Sequence, residues 1–342
     1  MESRDAAGRP LVTFAILAYN HERFIGAAVE GALAQSYEPL EIIVSDDAST
    51  DRTFAIVEQA VAGYSGPHQI VLNRNPKNLG IGGNVNRVME LATGSLVVAA
   101  AGDDVSLSGR VEANVRAWER NGMCPGSIYS DVILVDEEGR PQGGREFPYD
   151  AGIGFDEFIA ESAPGVMGCS HAWTRDVFDR FGPMLPGTVF EDRVIPFRSF
   201  LIGKIIHIPE KLVEYRIHRH NQSGYLRGTS DEEIVEAFFE SHERFARVYE
   251  NYLCDFQRVA AAGVPTAQSA ARLKGIKREL ARHAIFEGLR KVGPIGAVGR
   301  IVRGVAAGAT IKDAMKAALV ALWPSLWGAY HRRTTGKART AG

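Results

Sequence analysis

Carboxylates recur in this chain at spacings that suit cation binding and proton transfer: SDDASTD (Ser45 to Asp51), GDD (Gly102 to Asp104) and the pair Glu191-Asp192. Adjacent carboxylates in one cleft repel each other unless a cation or a hydrogen-bonding ligand offsets the repulsion. Mg2+ or Mn2+ would do so, since these ions prefer oxygen and keep positions open for a diphosphate. Taken singly, each cluster has a plainer reading. Asp46 and Asp47 suit a turn or a cap, Glu191 and Asp192 suit the positive end of a helix, and a lone His218 suits packing. No Walker-type loop is present, and the glycines of NLGIGG (Asn78 to Gly83) do not complete the dinucleotide pattern.

These residues acquire a common place from the elements that must carry them. LVTFAILAYN (Leu11 to Asn20) is nearly continuous in apolar residues, as expected of a strand buried on both faces. A helix follows through Phe24, Ala28 and Ala32, with Ile25, Val29 and Leu33 on the adjoining positions, and LEIIV (Leu40 to Val44) is the second strand. Ser49 or Thr50 is placed to cap the next helix. HQIVL (His68 to Leu72) and SLVVAAA (Ser95 to Ala101) are the third and fourth strands, on either side of a helix over Gly82 to Gly94. Such alternation predicts an α/β, Rossmann-like fold with a mostly parallel central sheet. In open parallel sheets ligands bind beyond the carboxyl ends of the strands. Tyr19, Asn20 and His21 follow the first strand there, SDDASTD the second and GDD the fourth.

A helix over Arg110 to Asn121 and a strand running from Ser127 into a turn at Glu138-Gly139 come next. Pro141 to Pro186 is rich in Gly and Pro and reads as loop, apart from a short helical piece at Phe155 to Glu161. From about Asp231 the chain reads as helical. Its aromatic stripe, which includes Phe238, Phe239, Tyr249, Tyr252 and Phe256, suits packing against the body or against a sister subunit in a homodimer.

Five segments in this order resemble the inverting family 2 glycosyltransferases of the glycosyltransferase-A fold: Tyr19-Asn20, SDDASTD, NPKNLGIGGNVN (Asn75 to Asn86), GSLVVAAAGDD (Gly94 to Asp104) and FEDRV (Phe190 to Val194). The resemblance covers about residues 10 to 220. It implies a catalytic domain over 10–225, with a nucleotide-binding half (10–122) and an acceptor-side half (123–225), followed by a helical extension over 231–342. It also implies a nucleoside-diphosphate sugar donor and a glycan or lipid-linked glycan acceptor. On the matching positions, Tyr19 would lie against the nucleobase and Asp47 would accept a hydrogen bond from it, with Asp46 as helper and Asn20 and Asn84 among the donor contacts. Asp103 would bind Mg2+ or Mn2+, with Asp104 shaping the nucleotide-sugar site beside it. Ala101 stands where the family's first motif carboxylate belongs. Asp192 matches the catalytic base, with Glu191 beside it on the acceptor side. EYRIHRHNQS (Glu214 to Ser223) resembles the closing segment, which makes His218 a candidate for the metal and Arg216 or Arg219 for the phosphates. GVMGCSHAWTRD (Gly165 to Asp176) falls where the family builds its acceptor wall, which puts Trp173 on a sugar face or in the core.

The composition bounds the alternatives. The 342 residues are 45% hydrophobic, and Cys124, Cys169 and Cys254 offer neither a disulfide framework nor a paired-cysteine metal site, which fits a reducing cytoplasm. The start, MESRDAAGRP, is too polar for a secretory signal, and no transmembrane helix is expected. The net charge of -2 conceals a basic end, because residues 271–342 hold 15 Lys/Arg against 3 Asp/Glu. With Trp323 and Trp327, that end reads as a peripheral contact for an anionic inner-membrane leaflet or as a soluble appendage. No nucleic-acid-reading motif accompanies it. The resemblance implies transfer in cell-surface polysaccharide synthesis, against a catalytically silent nucleotide-sugar-binding module motivated by Ala101.

Overall fold

The computed structural model describes residues 8–147, 152–161, 166–218, 221, 230–262, 269–287, 289, 292 and 294–322. They fall into two compact units, Met1–Gly154 with Glu161–Arg219, and Phe155–Ala160 with His220–Gly342. The short helix expected at 155–161 thus belongs, but for its last residue, with the C-terminal helices.

In the first unit, β1 (Val12–Ala18), β2 (Leu40–Asp46), β3 (Gln69–Arg74) and β4 (Leu96–Ala101) form parallel ladders in the order β3-β2-β1-β4. Their alternate residues Phe14, Ile16, Ile42, Val44, Leu96 and Val98 are buried in one core. The helix α1 (Ile25–Leu33) supplies Ala28, Val29 and Ala32 to that core, and α4 (Arg110–Arg120) supplies Val111, Val115 and Trp118. Beyond β4 the sheet continues through β8 (Ala172–Thr174), β6 (Gly126–Val135) and β9 (Lys204–Arg216) to the short β5 (Val105–Ser106), and β7 (Pro141–Arg145) pairs with β6. β8 is antiparallel to both β4 and β6, while β6 and β9 form a long parallel ladder.

The stretch read as loop, Pro141 to Pro186, is therefore more regular than its glycines and prolines suggest. It contains β7, a 3-10 turn (Gly168–Ser170), β8 and α6 (Arg175–Phe181). β8 has three residues, too few for a period-two pattern to register. Its place between β4 and β6 corrects the expectation for Trp173. That indole is 1% exposed, with Nε1 3.3 Å from the Met89 sulfur and its ring against His171 and Phe178. It belongs to the core and presents no face to an acceptor.

In the second unit the long helix α8 (Asp231–Ala261) opens with a capping box between Ser230 and Glu233. Its aromatic stripe packs within the unit: Phe238 meets Phe286 edge-on, the Tyr249 hydroxyl donates to the Ile159 carbonyl, and Phe256 lies against Phe155. The helices α9 (Ser269–Ala284), α10 (Pro294–Ala306) and α11 (Ile311–Leu322) complete it. No helix among the described residues is long and apolar enough to cross a membrane. Trp323, Trp327 and Arg219 lie outside the described residues.

Candidate active site

The loops that leave β1 and β2 are tied together by reciprocal hydrogen bonds. The Asn20 amide donates to Ser49 Oγ, the Thr50 amide to Asn20 Oδ1, the His21 amide to Thr53 Oγ1 and the Glu22 amide to Asp51 Oδ2. Asn20 and Ala48 both adopt left-handed backbone at the bends. Ser49 and Thr50 are thereby committed to the partner loop, so neither caps the following helix α2 (Thr53–Val61). The N-cap position is Arg52, whose side chain makes no cap, and Asp51 before it accepts from the amide and hydroxyl of Thr53. Tyr19, at the start of the first of these loops, is 38% exposed.

Asp47 is buried and its carboxylate faces the start of α3 (Gly80–Leu91). It accepts from the amides of Leu79 and Gly80 and from Asn75 Nδ2, at 2.8 to 2.9 Å. This is a cap delivered from another strand, and it satisfies donors that a helix start leaves open. Asp47→Ala should therefore cost about 2–4 kcal/mol of stability, read as a lower urea midpoint with an unchanged slope; an unaltered midpoint would refute the capping role. Asp46 is fully buried. One oxygen accepts from the Ser49 amide at 3.0 Å and lies 3.4 Å from Arg74 Nε, while the other has no hydrogen-bond partner among the described residues. Asn84 departs from expectation. It is buried below the loop, with Nδ2 donating to the Ser45 carbonyl and Oδ1 accepting from Ser45 Oγ and Asn75 Nδ2. Its amide holds β2 to α3 from a buried position.

At the end of β4, Asp103 Oδ2 lies 2.9 Å from His218 Nε2 and 3.9 Å from His21 Nε2. Burial by itself would raise the Asp103 carboxyl, but the hydrogen bond from His218 and the two imidazoles outweigh it and hold the group below the usual carboxylate range. Asp104 behaves oppositely. It is turned inward, accepts from the Arg216 amide at 2.8 Å and from the Cys169 thiol, and is pushed well up by burial and by Asp103. Arg216 is likewise not a phosphate arm: its guanidinium donates to the carbonyls of Asp103, Asp136 and Glu137 and lies over Phe24. It fixes the loop beside Asp103.

The pair Glu191-Asp192 opens α7 (Glu191–Ile202). Burial and the neighbouring Asp192 push Glu191 up to about 8; burial also raises Asp192, against the pull of Arg193. Asp192 Oδ1 is enclosed without a hydrogen-bond partner among the described residues. A carboxyl whose folded pKa lies above its ordinary 4.5 stabilises the fold fully below that pH, and this contribution disappears as pH rises through about 8. Glu191→Gln should hence melt like the parent in acid and above it near about pH 9. Parallel melting curves for the two proteins across that range would contradict the assignment.

Backbone contacts join these three regions. The Gly82 amide donates to the Thr188 carbonyl at 3.0 Å, and a Cβ on Gly82 would stand 2.6 Å from that oxygen, so only glycine permits the approach of α3 to the segment leading into α7. The 3-10 turn closes the other side. A Cβ on Gly168 would fall 2.5 Å from Glu191 Oε1, while the next residue, Cys169, bonds Asp104. The chain of neighbours thus runs from Asp47 through α3, Thr188, the start of α7 and the 3-10 turn to Asp104 and Asp103. His21, at the end of β1, completes it beside Asp103. Sequence reasoning noticed His21 but gave it no role; its place after a parallel strand was the available signal. Cys169 and Thr188 gave none.

Among the described residues no group of three or more His, Cys, Asp or Glu is gathered as a metal site. Asp103 and His218 are hydrogen-bonded to each other at 2.9 Å; the carboxylate, with the imidazole once that bond is given up, would suit an ion that takes its remaining ligands from water and substrate oxygens.

Residues 13–182 match the sequence pattern described as Glycosyl transferase family 2. The chain is 33% identical over 139 residues to EpsE of Bacillus subtilis (strain 168), named as a glycosyltransferase, covering 41% of this chain and 49% of EpsE. It is 32% identical over 231 residues to chondroitin synthase of Escherichia coli, covering 65% of this chain and 31% of that protein. The chain thus spans about half of EpsE and a smaller share of the synthase. Its fold is similar to that of residues 1–349 of S. aureus TarS, with a TM-score of 0.55 at 16% identity over 86% of this chain and 80% of that one.

Proposed function

Because the chain belongs to glycosyl transferase family 2, we propose that it transfers one sugar, with inversion, from a nucleoside-diphosphate sugar to a hydroxyl of a glycan or lipid-linked glycan in cell-surface polysaccharide synthesis on the cytoplasmic side. The observation that carries this reading is the continuous run of contacts from Asp47 through the start of α7 to Asp103. In this reading a base-side loop, a cation-binding Asp103 and a proton acceptor share one rim.

In this reading exposed Tyr19 lies against the nucleobase, with Asp46 and Asp47 behind it and Asn20 locking the two loops. Asp103 and His218 would hold Mg2+ or Mn2+, which would supply positive charge to the departing diphosphate. Asp192 stands on the acceptor side. As the acceptor oxygen bonds to the anomeric carbon and the bond from that carbon to the diphosphate breaks, the Asp192 carboxylate takes the hydroxyl proton. Glu191, pushed up to about 8, retains its own proton near neutrality beside Asp192. One displacement inverts the anomeric centre.

Ala101, in place of the first motif carboxylate, favours a second reading, a module that binds nucleotide sugar without turning it over. Thermal shift with a panel of nucleotide sugars and manganese, followed by assay of nucleoside diphosphate release, separates the two. A donor that raises the melting temperature and is then consumed supports transfer; a shift without consumption supports the module; no shift with any donor overturns both.

A further inference from the structure

Both helices of the α10–α11 pair carry large apolar residues on their outer sides. Val298, Val302 and Val305 recur at helical spacing on α10, and Ile311, Met315 and Leu319 do so on α11. These six side chains are between 40% and 74% exposed. The opposite sides are occupied: Ala297 and Ala317 are buried, Gly304 lies against Ile285, and Lys316 sits over the Phe238 and Phe286 rings. Ile285, Phe238 and Phe286 belong to one cluster, so both helices rest on the same support and turn their apolar stripes away from it.

Scattered exposed apolar residues are ordinary, but two aligned stripes on packed neighbouring helices form a patch that asks for an occupant. The charges identify it. The helix pair carries Arg300, Arg303, Lys312 and Lys316 against the single carboxylate Asp313, which is buried and lies 3.5 Å from Arg282. Arg303 and Lys312 are exposed. The sequence that follows, residues 323–342, adds four Lys/Arg and no acid. An apolar stripe bordered by cations fits the interfacial region of a bilayer with anionic headgroups, where the side chains enter the acyl boundary and the cations meet the lipid charge. We propose that the outer face of α10 and α11 is a docking surface for an anionic lipid bilayer, lying on the membrane without crossing it. This goes beyond the sugar-transfer reading and stands or falls separately from it.

The test is co-sedimentation of the full chain with vesicles of phosphatidylcholine alone and of phosphatidylcholine with phosphatidylserine. The chain should pellet with the anionic vesicles, remain in solution with the neutral ones, and be released by added salt. Val302→Asp with Met315→Asp should weaken anionic-vesicle binding by at least about tenfold, because each substitution puts a charge where a side chain enters the bilayer. Both positions face outward, so the melting temperature should not change. Val302→Ser with Met315→Ser serves as the second variant if the aspartates impair folding, and it should also lose most of the binding. Donor-induced thermal shifts, measured in parallel, should be equal in all three proteins. Failure of the full chain to pellet with anionic vesicles overturns the proposal, as does undiminished pelleting of the variants. A dimer in light scattering that the aspartates dissociate, without vesicle binding, would assign the face to a second copy instead.

Discussion

Asp192→Asn should lower sugar transfer by about 10^2–10^4-fold, the range for loss of a general base, while leaving donor binding unchanged. The substitution removes basicity and keeps shape. Asp192 is set at the entry of α7, where the helix dipole favours a charged carboxylate, yet burial lifts its pKa above the ordinary value. A raised carboxylate is the stronger base, and its enclosed Oδ1 has no competing donor among the described residues. The activity profile against pH should rise as Asp192 ionises and fall as Glu191 loses its proton near about 8. Glu191→Gln should remove the falling limb and keep the rising one. Transfer by Asp192→Asn within a few-fold of the parent would exclude the assignment; a profile unchanged in Glu191→Gln would exclude Glu191 as the group behind the falling limb.

Asp103→Asn is expected to reduce transfer by about three orders of magnitude and to abolish the manganese-dependent part of the thermal shift with nucleoside diphosphate. The size follows from the lack of a substitute. Ala101 offers no carboxylate, and Asp104 is turned inward to the Arg216 amide and the Cys169 thiol. Asparagine can still pair with His218, so the fold should persist. His218→Ala leaves the Asp103 carboxylate in place and should cost less, about 10–100-fold. Equal manganese shifts in the parent and Asp103→Asn would place the ion elsewhere.

The first four strands were legible because β1, β2 and β4 are buried on both faces and, like the half-exposed β3, read as apolar runs: all four lie within two residues of where LVTFAILAYN, LEIIV, HQIVL and SLVVAAA place them. The polar residues after those strands were legible for the same reason, since topology sends them to one edge. The residues misjudged are those whose side chains turn inward. Asn84, Trp173 and Arg216 have chemistry suited to a ligand, and only tertiary contacts show that Ser45, Met89 and the Asp136-Glu137 carbonyls consume it. The Pro141 to Pro186 stretch hid β8 because three residues bridging two longer strands carry no periodic signal. The apolar faces of α10 and α11 were hidden differently: period shows that a face is apolar, whereas coordinates show which face is covered.

Sugar transfer as proposed requires one rim shared by the loop at Asp47, a cation bound at Asp103 and the start of α7. A crystal structure of the chain with a nucleoside diphosphate and manganese tests this most directly, using the anomalous signal of the ion. The account predicts an anomalous peak bound by Asp103, the base beside Tyr19, and the diphosphate on the same rim as Asp192. A nucleotide seated away from Tyr19, or an ion whose protein ligands exclude Asp103, would contradict it.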